Sequence, residues 1–301
     1  MKYIMSLLFV VFIFPFIIFA DKKQSKKRPD TIFTMTFDYE PIPDFAILNT
    51  SFFAKFKVFE EDDLKLFFIN RIEYQETEGD LNYFPSKIYS FMSSIRVESP
   101  MIFAEIGSAE RTDAPFKNSN DFKLFTYTYY NFFPSQTGGF FLGLIYFPLE
   151  KVFPDWMWFE KVPFPFFMYQ YHDSDLVLNF GLPLMVRWKI TEKLLYQVFY
   201  IPVYNIRTSL EYNLTKLIMT GLEFVWSQKS VNLSERILPN EKVYFNSKNI
   251  GLKIRLFYLL ELKAGYSFNN SFYKGEGASD YIEQRKLKNS FYFKASLSYT
   301  F

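Results

Sequence analysis

Apolar and polar side chains alternate along residues 291–301, the last eleven positions of the sequence. Every odd position is apolar, and every even position except Tyr292 is polar. An alternation with a period of two is typical of a β-strand with one apolar face and one polar face. The pattern therefore predicts a membrane-spanning strand whose apolar face contacts lipid.

The same alternation recurs between residues 176 and 268. Its longest run covers residues 176–190, where eight apolar residues share one parity, and we predict a single strand there. The other strands predicted in this part of the chain are residues 194–200, 205–212, 217–226, 244–257 and 260–268.

Connections between these strands alternate in length, which is typical of an up-and-down barrel with short turns at one end. Polar stretches at residues 228–242 and 269–288 are predicted to be outer loops. Inner turns are predicted at residues 191–193, 213–216 and 258–259. Both ends of the barrel chain would then lie on the inner, periplasmic side.

The N-terminal half alternates less regularly, and prolines at positions 148, 154, 163 and 165 interrupt it. Its predicted strands bring the count to fourteen, or to twelve without the proline-rich pair. We predict an all-β fold, a transmembrane up-and-down antiparallel β-barrel of twelve strands, with fourteen as the alternative. The strands predicted here are residues 31–39, 45–59, 64–74, 88–106, 122–132, 139–147 and 162–171.

An apolar run follows Lys2 near the start of the sequence and precedes a basic segment. This arrangement predicts a secretory signal peptide at residues 1–20, and an uncleaved membrane anchor is the alternative. The charged residues 21–30 are predicted to form a flexible periplasmic leader. Residues 31–301 are then predicted to form the barrel as a single domain.

Composition favours a barrel over other classes of protein. Aromatic residues make up 22% of the chain and charged residues also make up 22%, with a mean hydropathy of -0.04. Beyond the signal segment the sequence has no stretch of about 18 consecutive apolar residues, which excludes a helical membrane protein. Basic and acidic residues nearly cancel, 34 against 32, so no nucleic-acid partner is predicted. The lack of cysteine excludes disulfides and thiol chemistry.

The last predicted strand carries aromatic residues at Tyr299 and at Phe301, where the sequence stops. This ending resembles the C-terminal assembly signal of bacterial outer-membrane β-barrels. The resemblance implies a location in the outer membrane of a Gram-negative envelope. It also implies two partners, the outer-membrane lipid and the machinery that assembles barrels, and it implies no particular function.

A second resemblance rests on short sequence motifs between residues 175 and 301. The motifs are Gly181-Leu182-Pro183-Leu184, Arg187-Trp188, Phe199-Tyr200-Ile201-Pro202-Val203 with Arg207, Tyr244-Phe245, and Gly265-Tyr266-Ser267-Phe268. They resemble those of an uncharacterised family of bacterial barrel domains of unknown function. This resemblance implies a barrel and supplies no activity, ligand or catalytic residue.

Charged residues on the inward parity of the predicted strands would lie inside the barrel, where they are either paired or solvated by a channel. Two interpretations remain open. Arginines that pair with Glu211 and Glu223 would form a structural network, whereas a cation-rich lumen would favour anionic solutes. The inward-facing candidates are Arg71, Arg187, Arg207, Glu211, Glu223, Lys253, Arg255 and Lys263.

The single histidine of the sequence lies in His172-Asp173-Ser174-Asp175, which contains the residue types of a hydrolase triad. Adjacent residues cannot form a triad, because its members converge from separate parts of a fold. We predict that this segment is an outer turn and that the protein has no catalytic residues. With one histidine and no cysteine, we predict no metal site and no cofactor.

Two acidic clusters, at residues 60–63 and 76–80, lack the ligand spacing of a dedicated calcium loop. We predict that both are solvated turns rather than cation sites. Trp156-Met157-Trp158-Phe159 is predicted to belong to an interfacial aromatic belt, and a ligand-stacking platform is the alternative.

Three functions are compatible with such a barrel. We predict a small channel or solute transporter with a polar lumen. The alternative is a plugged structural or surface-exposed adhesive barrel whose outer loops meet partners. An enzyme embedded in the outer membrane is the least supported, because the sequence has one histidine.

Overall fold

The structure is a computed structural model that describes most of the chain. The predicted signal peptide (1–20), the predicted leader (21–30), the aromatic segment 156–159 and Phe301 lie outside the described residues. Among the described residues, none form a helix of the length and apolar character that a membrane crossing requires. The described residues are 31–42, 45–79, 85–117, 121–135, 137–146, 163–201, 205–235, 241–257, 259–275 and 281–300.

The described residues form seventeen strands in one sheet whose neighbours are antiparallel. Strong β-formers such as phenylalanine, tyrosine, valine and isoleucine supply many of the strand positions. The strands are β1 (Thr31–Ile42), β2 (Phe45–Glu61), β3 (Leu64–Gly79), β4 (Lys87–Glu98), β5 (Ile102–Thr112), β6 (Lys123–Asn131), β7 (Gly138–Tyr146), β8 (Phe164–His172), β9 (Leu176–Phe180), β10 (Leu184–Lys189), β11 (Leu194–Ile201), β12 (Asn205–Asn213), β13 (Ile218–Asn232), β14 (Lys242–Leu256), β15 (Leu260–Gly275), β16 (Tyr281–Lys286) and β17 (Ser290–Thr300).

The sheet closes on itself because its first and last strands pair. Thr34 lies opposite Thr300, and Tyr39 lies opposite Ala295. β16 pairs with the end of β15 and β17 pairs with its beginning, so these two strands share one position in the ring. The described strands therefore make an antiparallel barrel with sixteen positions. The predicted all-β barrel is confirmed, and the predicted numbers of twelve and fourteen strands are wrong.

Two predicted strands are in fact hairpins, which accounts for the difference between fourteen and sixteen. Residues 88–106 divide into β4 and β5, and residues 176–190 divide into β9 and β10. In the second hairpin Asn179 lies opposite Met185, so residues of the same parity face each other across the turn. The alternation therefore continues through the turn without a break, and the sequence pattern conceals it.

The barrel has two ends, which we call the terminal end, where β1 begins and β17 ends, and the far end. Connections at the terminal end are short, as predicted for one end of the barrel. The segment 172–175 was predicted to be an outer turn, and this is wrong because the extra hairpin places it at the terminal end. There the amide of Lys189 donates to the carbonyl of Asp175 at 2.6 Å. The described residues of the connections at the terminal end are 62–63, 99–101, 132–135, 137, 173–175, 190–193, 214–217, 257 and 259.

The outer loops predicted at residues 228–242 and 269–288 are largely strand in the described chain. Within these segments, Val231 is 3% exposed and Phe272 is fully buried. Tyr244 stacks on Tyr273 with ring centroids 4.8 Å apart. The polar composition of these segments suggested loops, but their valine and aromatic residues pair across β13, β14, β15 and β16.

These strand extensions, which we call the crossing hairpins (residues 228–235, 241–247, 269–275 and 281–287), reach the opposite wall of the barrel. β5 and β13 stand eight positions apart in the ring of sixteen, yet Asn232 pairs with Thr112. The amide and hydroxyl of Ser234 donate to the carboxylate of Asp113 at 2.6 and 3.1 Å. The crossing hairpins therefore span the mouth of the barrel at the far end.

An apolar cluster holds the crossing hairpins in place. Its buried members come from β4, from β13 and the residue that follows it, from β14 and β15, and from the segment that joins β16 to β17. Ile47 of β2 packs against the same cluster. The buried residues of this cluster are Ile88, Val231, Leu233, Val243, Phe272 and Leu287.

The outer face of the barrel wall is apolar, and its inner face has two parts that differ in composition. On the outer face, Phe167 is 79% exposed and Phe291 is 82% exposed. The inner face of β6 to β8 is aromatic, because Phe141, Phe166 and Met168 form a buried cluster there with Tyr127, Tyr129 and Ile145. The inner face of β12 to β15 carries charges. We call these two parts the aromatic half and the charged half of the lumen.

Candidate functional site: the barrel lumen

Buried ion pairs connect four neighbouring strands of the charged half. The pairing of β13, β14 and β15 places Lys253 directly between Gly221 and Lys263. Lys253 is 2% exposed; its ammonium pairs with Glu211 and lies 3.4 Å from Glu223. The ammonium of Lys263 lies 2.6 Å from the other oxygen of Glu223. Charges buried in this way are stable only when they are paired, which explains why these residues occur together.

Arginines extend these ion pairs along the wall. Arg207 donates to Glu223 through Nε at 3.2 Å and through Nη2 at 2.9 Å. Arg255 donates to Glu261, which lies opposite it on β15, at 3.1 and 2.7 Å. We call the whole group the lumen charge network. Its members are Arg207, Glu211, Glu223, Lys253, Arg255, Glu261 and Lys263.

The network contains six of the eight residues predicted to face the lumen, and two lie elsewhere. Arg71 on β3 pairs with Glu73, and its side chain is 53% exposed. Arg187 is exposed on β10. The structure therefore brings together the predicted charges of the C-terminal half except Arg187, while their role in binding solute stays a prediction.

Sequence reasoning missed two groups of lumen charges. Glu261 shares the parity of Lys263, so the same alternation contained the signal for it. On β4 and β5, Ser94 donates to Glu105 at 2.6 Å, and Arg96 donates to Glu105 at 3.0 and 2.8 Å. A single predicted strand at residues 88–106 conceals this pairing, because it joins β4 and β5 into one element.

Glycines make room for an aromatic side chain inside the charged half. Gly251 and Gly265 lie opposite each other, and Gly265 lies opposite Tyr292. A Cβ atom on Gly251 would lie 2.6 Å from the hydroxyl oxygen of Tyr292. Tyr292, the exception in the final alternation, is buried with 7% exposure. It therefore packs inside the lumen across strands whose glycines leave space for it.

A cavity of about 370 Å³ remains in the lumen. Val231 and Phe245 line it from the side of the apolar cluster, while Arg207 and Lys263 line it from the lumen charge network. The cavity therefore lies between the crossing hairpins and the ion pairs. Among the described residues of its lining, five side chains are cationic, on residues 111, 207, 229, 263 and 294, and three are carboxylates, on residues 38, 223 and 261, so these residues carry a net charge of +2.

The segment with the single histidine forms a hydrogen-bonded turn. The amides of Asp175 and Leu176 donate to Asp173 at 2.8 and 2.7 Å, and the hydroxyl of Tyr171 donates to it at 2.9 Å. The two hydrogen bonds from the backbone amides, and to a smaller extent the bond from Tyr171, hold the pKa of Asp173 below its usual value. His172 is exposed beside this turn.

The two acidic clusters differ from each other. Asp62 and Asp63 form the predicted turn between β2 and β3, and Asp62 has a positive φ of 49°. The turn predicted at residues 76–80 is wrong, because β3 continues to Gly79 and residue 80 lies outside the described residues. Within the described ranges, no three His, Cys, Asp or Glu side chains come together in a way that could hold a metal ion.

Solved structures resemble this chain at low sequence identity. CdiB from Acinetobacter baumannii is 9% identical; the match covers 90% of this chain and 60% of CdiB, with a TM-score of 0.44. A triple mutant of Rhodopseudomonas blastica porin is 8% identical; the match covers 90% of this chain and 99% of the porin, with a TM-score of 0.34. This chain thus spans about 60% of the length of CdiB. Neither a protein-family model nor a curated protein matches the sequence, so the resemblance of residues 175–301 to a barrel family stays a prediction.

Proposed function

We propose that this protein is an outer-membrane β-barrel that carries small polar solutes, with a preference for anions, through a restricted lumen. The alternation of side chains in the wall is the observation that supports this proposal most strongly. On β14, Leu252 is 59% exposed and Ile254 is 43% exposed, while Lys253 between them is 2% exposed. A wall that is apolar outside and charged inside suits a barrel surrounded by lipid and filled with polar groups.

In this proposal the terminal end faces the periplasm. The signal peptide of residues 1–20 directs export, and the machinery that assembles barrels recognises the strand that carries Tyr299 and Phe301. Tyr299 lies opposite Met35 of β1, so the proposed signal strand also closes the barrel. Deletion of Phe301 is expected to reduce membrane assembly, which fractionation of cells and heat-modifiable migration on gels would measure.

The charge of the lumen favours anions. The described residues of the cavity lining carry a net charge of +2, and a positive lining raises the local concentration of anions and lowers the barrier to their passage. The crossing hairpins and the lumen charge network narrow the path. We therefore propose a small conductance rather than that of a wide open pore.

A plugged structural barrel is the second candidate. Pairing of Asn232 with Thr112 across the mouth favours it, as does mutual neutralisation of Lys253, Glu211 and Glu223. In that case the lumen would provide rigidity, and the surfaces at the far end would meet partners. Neither candidate gives His172 a catalytic role, and we propose that the protein is not an enzyme. Replacement of His172 by Ala should leave any lipase or protease activity unchanged.

Conductance of the full chain in planar bilayers separates the two candidates. We expect small discrete steps with a reversal potential that indicates anion preference. Asp113→Ala removes the acceptor for Ser234 and should increase the conductance by loosening the crossing hairpins. Asp173→Ala is the matched control, because it removes a carboxylate that accepts backbone amides in a turn at the terminal end. Silent bilayers with both the wild type and the Asp113 variant would support the plugged barrel instead.

A further inference from the structure

β16 (Tyr281–Lys286) lies at the rim of the crossing hairpins. One of its edges pairs with β15, and within the described chain no strand pairs with the other edge, which we call the outer edge. The side chains of residues 282–286 are all exposed, whereas Phe272 and Tyr273 on the neighbouring β15 are buried. An exposed strand with an unpaired edge is a template for pairing with another chain. We propose that the outer edge of β16 pairs with the outer edge of β16 in a second copy of the protein, which joins two barrels through their far ends into a symmetric dimer.

The backbone of β16 presents hydrogen-bonding groups on the outer edge. The amide of Leu287 donates to the carbonyl of Asn270 at 2.9 Å, so the backbone of residue 287 points toward β15. In an antiparallel ladder, successive residues point alternately toward the partner strand and away from it. The register is regular from residue 283 to residue 286, so the backbone groups of Gln284 and Lys286 point toward the outer edge. They can form a second ladder without breaking the first.

The charges on β16 are complementary to those of an identical strand. In the proposed dimer, the twofold axis passes between the Gln284 residues of the two copies. Glu283 of each copy then lies opposite Arg285 of the other copy, which gives two ion pairs. Within the described chain neither Glu283 nor Arg285 has an ion-pair partner of its own. Opposite charges that face each other across antiparallel strands stabilise the pairing.

The same charges exclude the neighbouring registers. A shift by two residues keeps the outward backbone groups facing each other. A shift in one direction places Glu283 opposite Glu283, and a shift in the other places Arg285 opposite Arg285, so both are repulsive. Charged residues on an edge normally prevent pairing with an unrelated strand. Their order in β16 therefore favours an identical strand, and it favours one register.

The outer edge lies beyond the wall that β17 completes. β17 pairs with β15 as far as Ser267, whereas β16 pairs with residues 271–275. β16 therefore belongs to the crossing hairpins at the far end and not to the lipid-facing wall. Two barrels inserted in the same direction are related by an axis along the membrane normal, and strands that cross the mouth can pair about such an axis. The contact does not depend on conduction, so it goes beyond the proposed function.

Charge reversal tests the two ion pairs. Sedimentation equilibrium of the refolded full chain in density-matched detergent should show a dimer. Glu283→Arg and Arg285→Glu should each weaken self-association by about tenfold or more, because each variant turns two attractive pairs into repulsive ones. An equimolar mixture of the two variants should associate as the wild type does, because every facing pair is again opposite in charge.

Two matched controls change the same charges at the terminal end. Glu192→Arg and Lys193→Glu lie on exposed residues of a turn there and should leave self-association unchanged. Heat-modifiable migration on gels verifies that each variant is folded. A monomeric wild type, single variants that associate as well as the wild type, or a mixture that stays monomeric would each overturn the proposal.

Substitutions at the axis test the backbone pairing. Gln284→Pro removes the outward amide and no hydrogen bond to β15, so the barrel should fold while the dimer is lost, whereas Gln284→Ala should keep the dimer. Gln284→Cys should cross-link two copies in membranes, because residues paired in this way have Cα atoms about 5.5 Å apart. Lys288→Cys, an exposed position about 13 Å along the chain from the axis, should not cross-link. A folded Gln284→Cys variant that stays uncross-linked under oxidising conditions would place any dimer contact elsewhere and overturn the assignment.

Discussion

The wall of the barrel is tall on one side and low on the other. β13 and β14 are paired at fifteen positions, whereas β9 and β10 are paired at four. A strand that crosses the hydrocarbon of a membrane needs about 9–11 residues. β13 and β14 exceed this length, and their surplus forms part of the crossing hairpins. β9 and β10, with 5 and 6 residues, fall below it. The residues by which β13 and β14 exceed the length needed to cross the membrane therefore help to span the mouth of the barrel at the far end.

The two halves of the lumen are also filled by different interactions. In the charged half, Lys253 and Glu223 are buried and paired. In the aromatic half, Phe141 and Phe166 are buried among other rings. Removal of one partner from a buried network leaves charges uncompensated, whereas removal of a ring leaves a cavity. Substitutions in the charged half should therefore destabilise the barrel by leaving charges unpaired, whereas substitutions in the aromatic half should destabilise it by opening a cavity.

The largest expected effect is in the charged half. Glu223→Ala leaves Arg207, Lys253 and Lys263 with fewer acceptors and should lower the free energy of unfolding by about 3–5 kcal/mol. It should also make the lumen more selective for anions. Urea unfolding in lipid vesicles and reversal potentials would measure both effects. Glu73→Ala, which removes a pair with the half-exposed Arg71, should cost only about 0–1 kcal/mol. Equal losses for the two variants would contradict the network.

In the aromatic half, Phe166→Ala should cost up to about 3–5 kcal/mol because it opens a cavity in a packed cluster. Phe166 is 4% exposed and stacks on Tyr127 with centroids 5.2 Å apart. Phe167→Ala is the matched control on the outer face and should cost less, since it leaves no internal cavity. Neither variant should change the anion preference. A change of selectivity in Phe166→Ala would show that the two halves are not separate.

A smaller effect is expected where Tyr292 packs against glycine. Gly251→Val should cost about 1–3 kcal/mol, because the added atoms meet the backbone of Ala264 and the hydroxyl of Tyr292. Ala264→Val adds similar volume to the exposed outer face and should be nearly neutral. Thermal unfolding followed by gel migration would compare them. Tolerance of valine at position 251 would mean that Tyr292 does not lie across these strands.

The smallest effect is expected at the turn after β8. The folded state lowers the pKa of Asp173, so its contribution to stability is present above the pKa of the unfolded chain, about 3.9. That contribution is lost as the pH falls through the folded pKa. Wild type and Asp173→Ala should therefore differ slightly in melting temperature at neutral pH and converge in acid. A difference that grows in acid would contradict this sign.

The sequence predicted the tall side better than the low side. Alternation of Leu252 and Ile254 with Lys253 located β14, because the wall there separates an apolar surface from a charged one. On the low side the same rule concealed a turn, since residues 176–190 keep one parity through the β9–β10 hairpin. Pro183 within that run was the available signal, because proline is disfavoured inside a paired strand.

The candidate site was predictable in its residues and not in its shape. Parity alone placed Glu211, Glu223, Lys253 and Lys263 on the inward face. The cavity lies below the crossing hairpins, which meet the opposite wall where Asn232 pairs with Thr112. These two residues are far apart in the sequence, and no local pattern encodes that contact. The aromatic residues Phe272 and Tyr273 were a signal that the outer loop predicted at residues 269–288 contains a strand.

Disulfide formation across the mouth tests the central claim most directly, because the chain has no cysteine of its own. Thr112→Cys combined with Asn232→Cys places two thiols on paired residues of opposite walls. We predict a cross-link in the membrane-inserted protein that shifts its gel migration and is reversed by reductant. Thr112→Cys with Met219→Cys, at the other end of β13, should not cross-link. An inserted, folded double variant at positions 112 and 232 that stays reduced under oxidising conditions would contradict a lumen crossed at the far end.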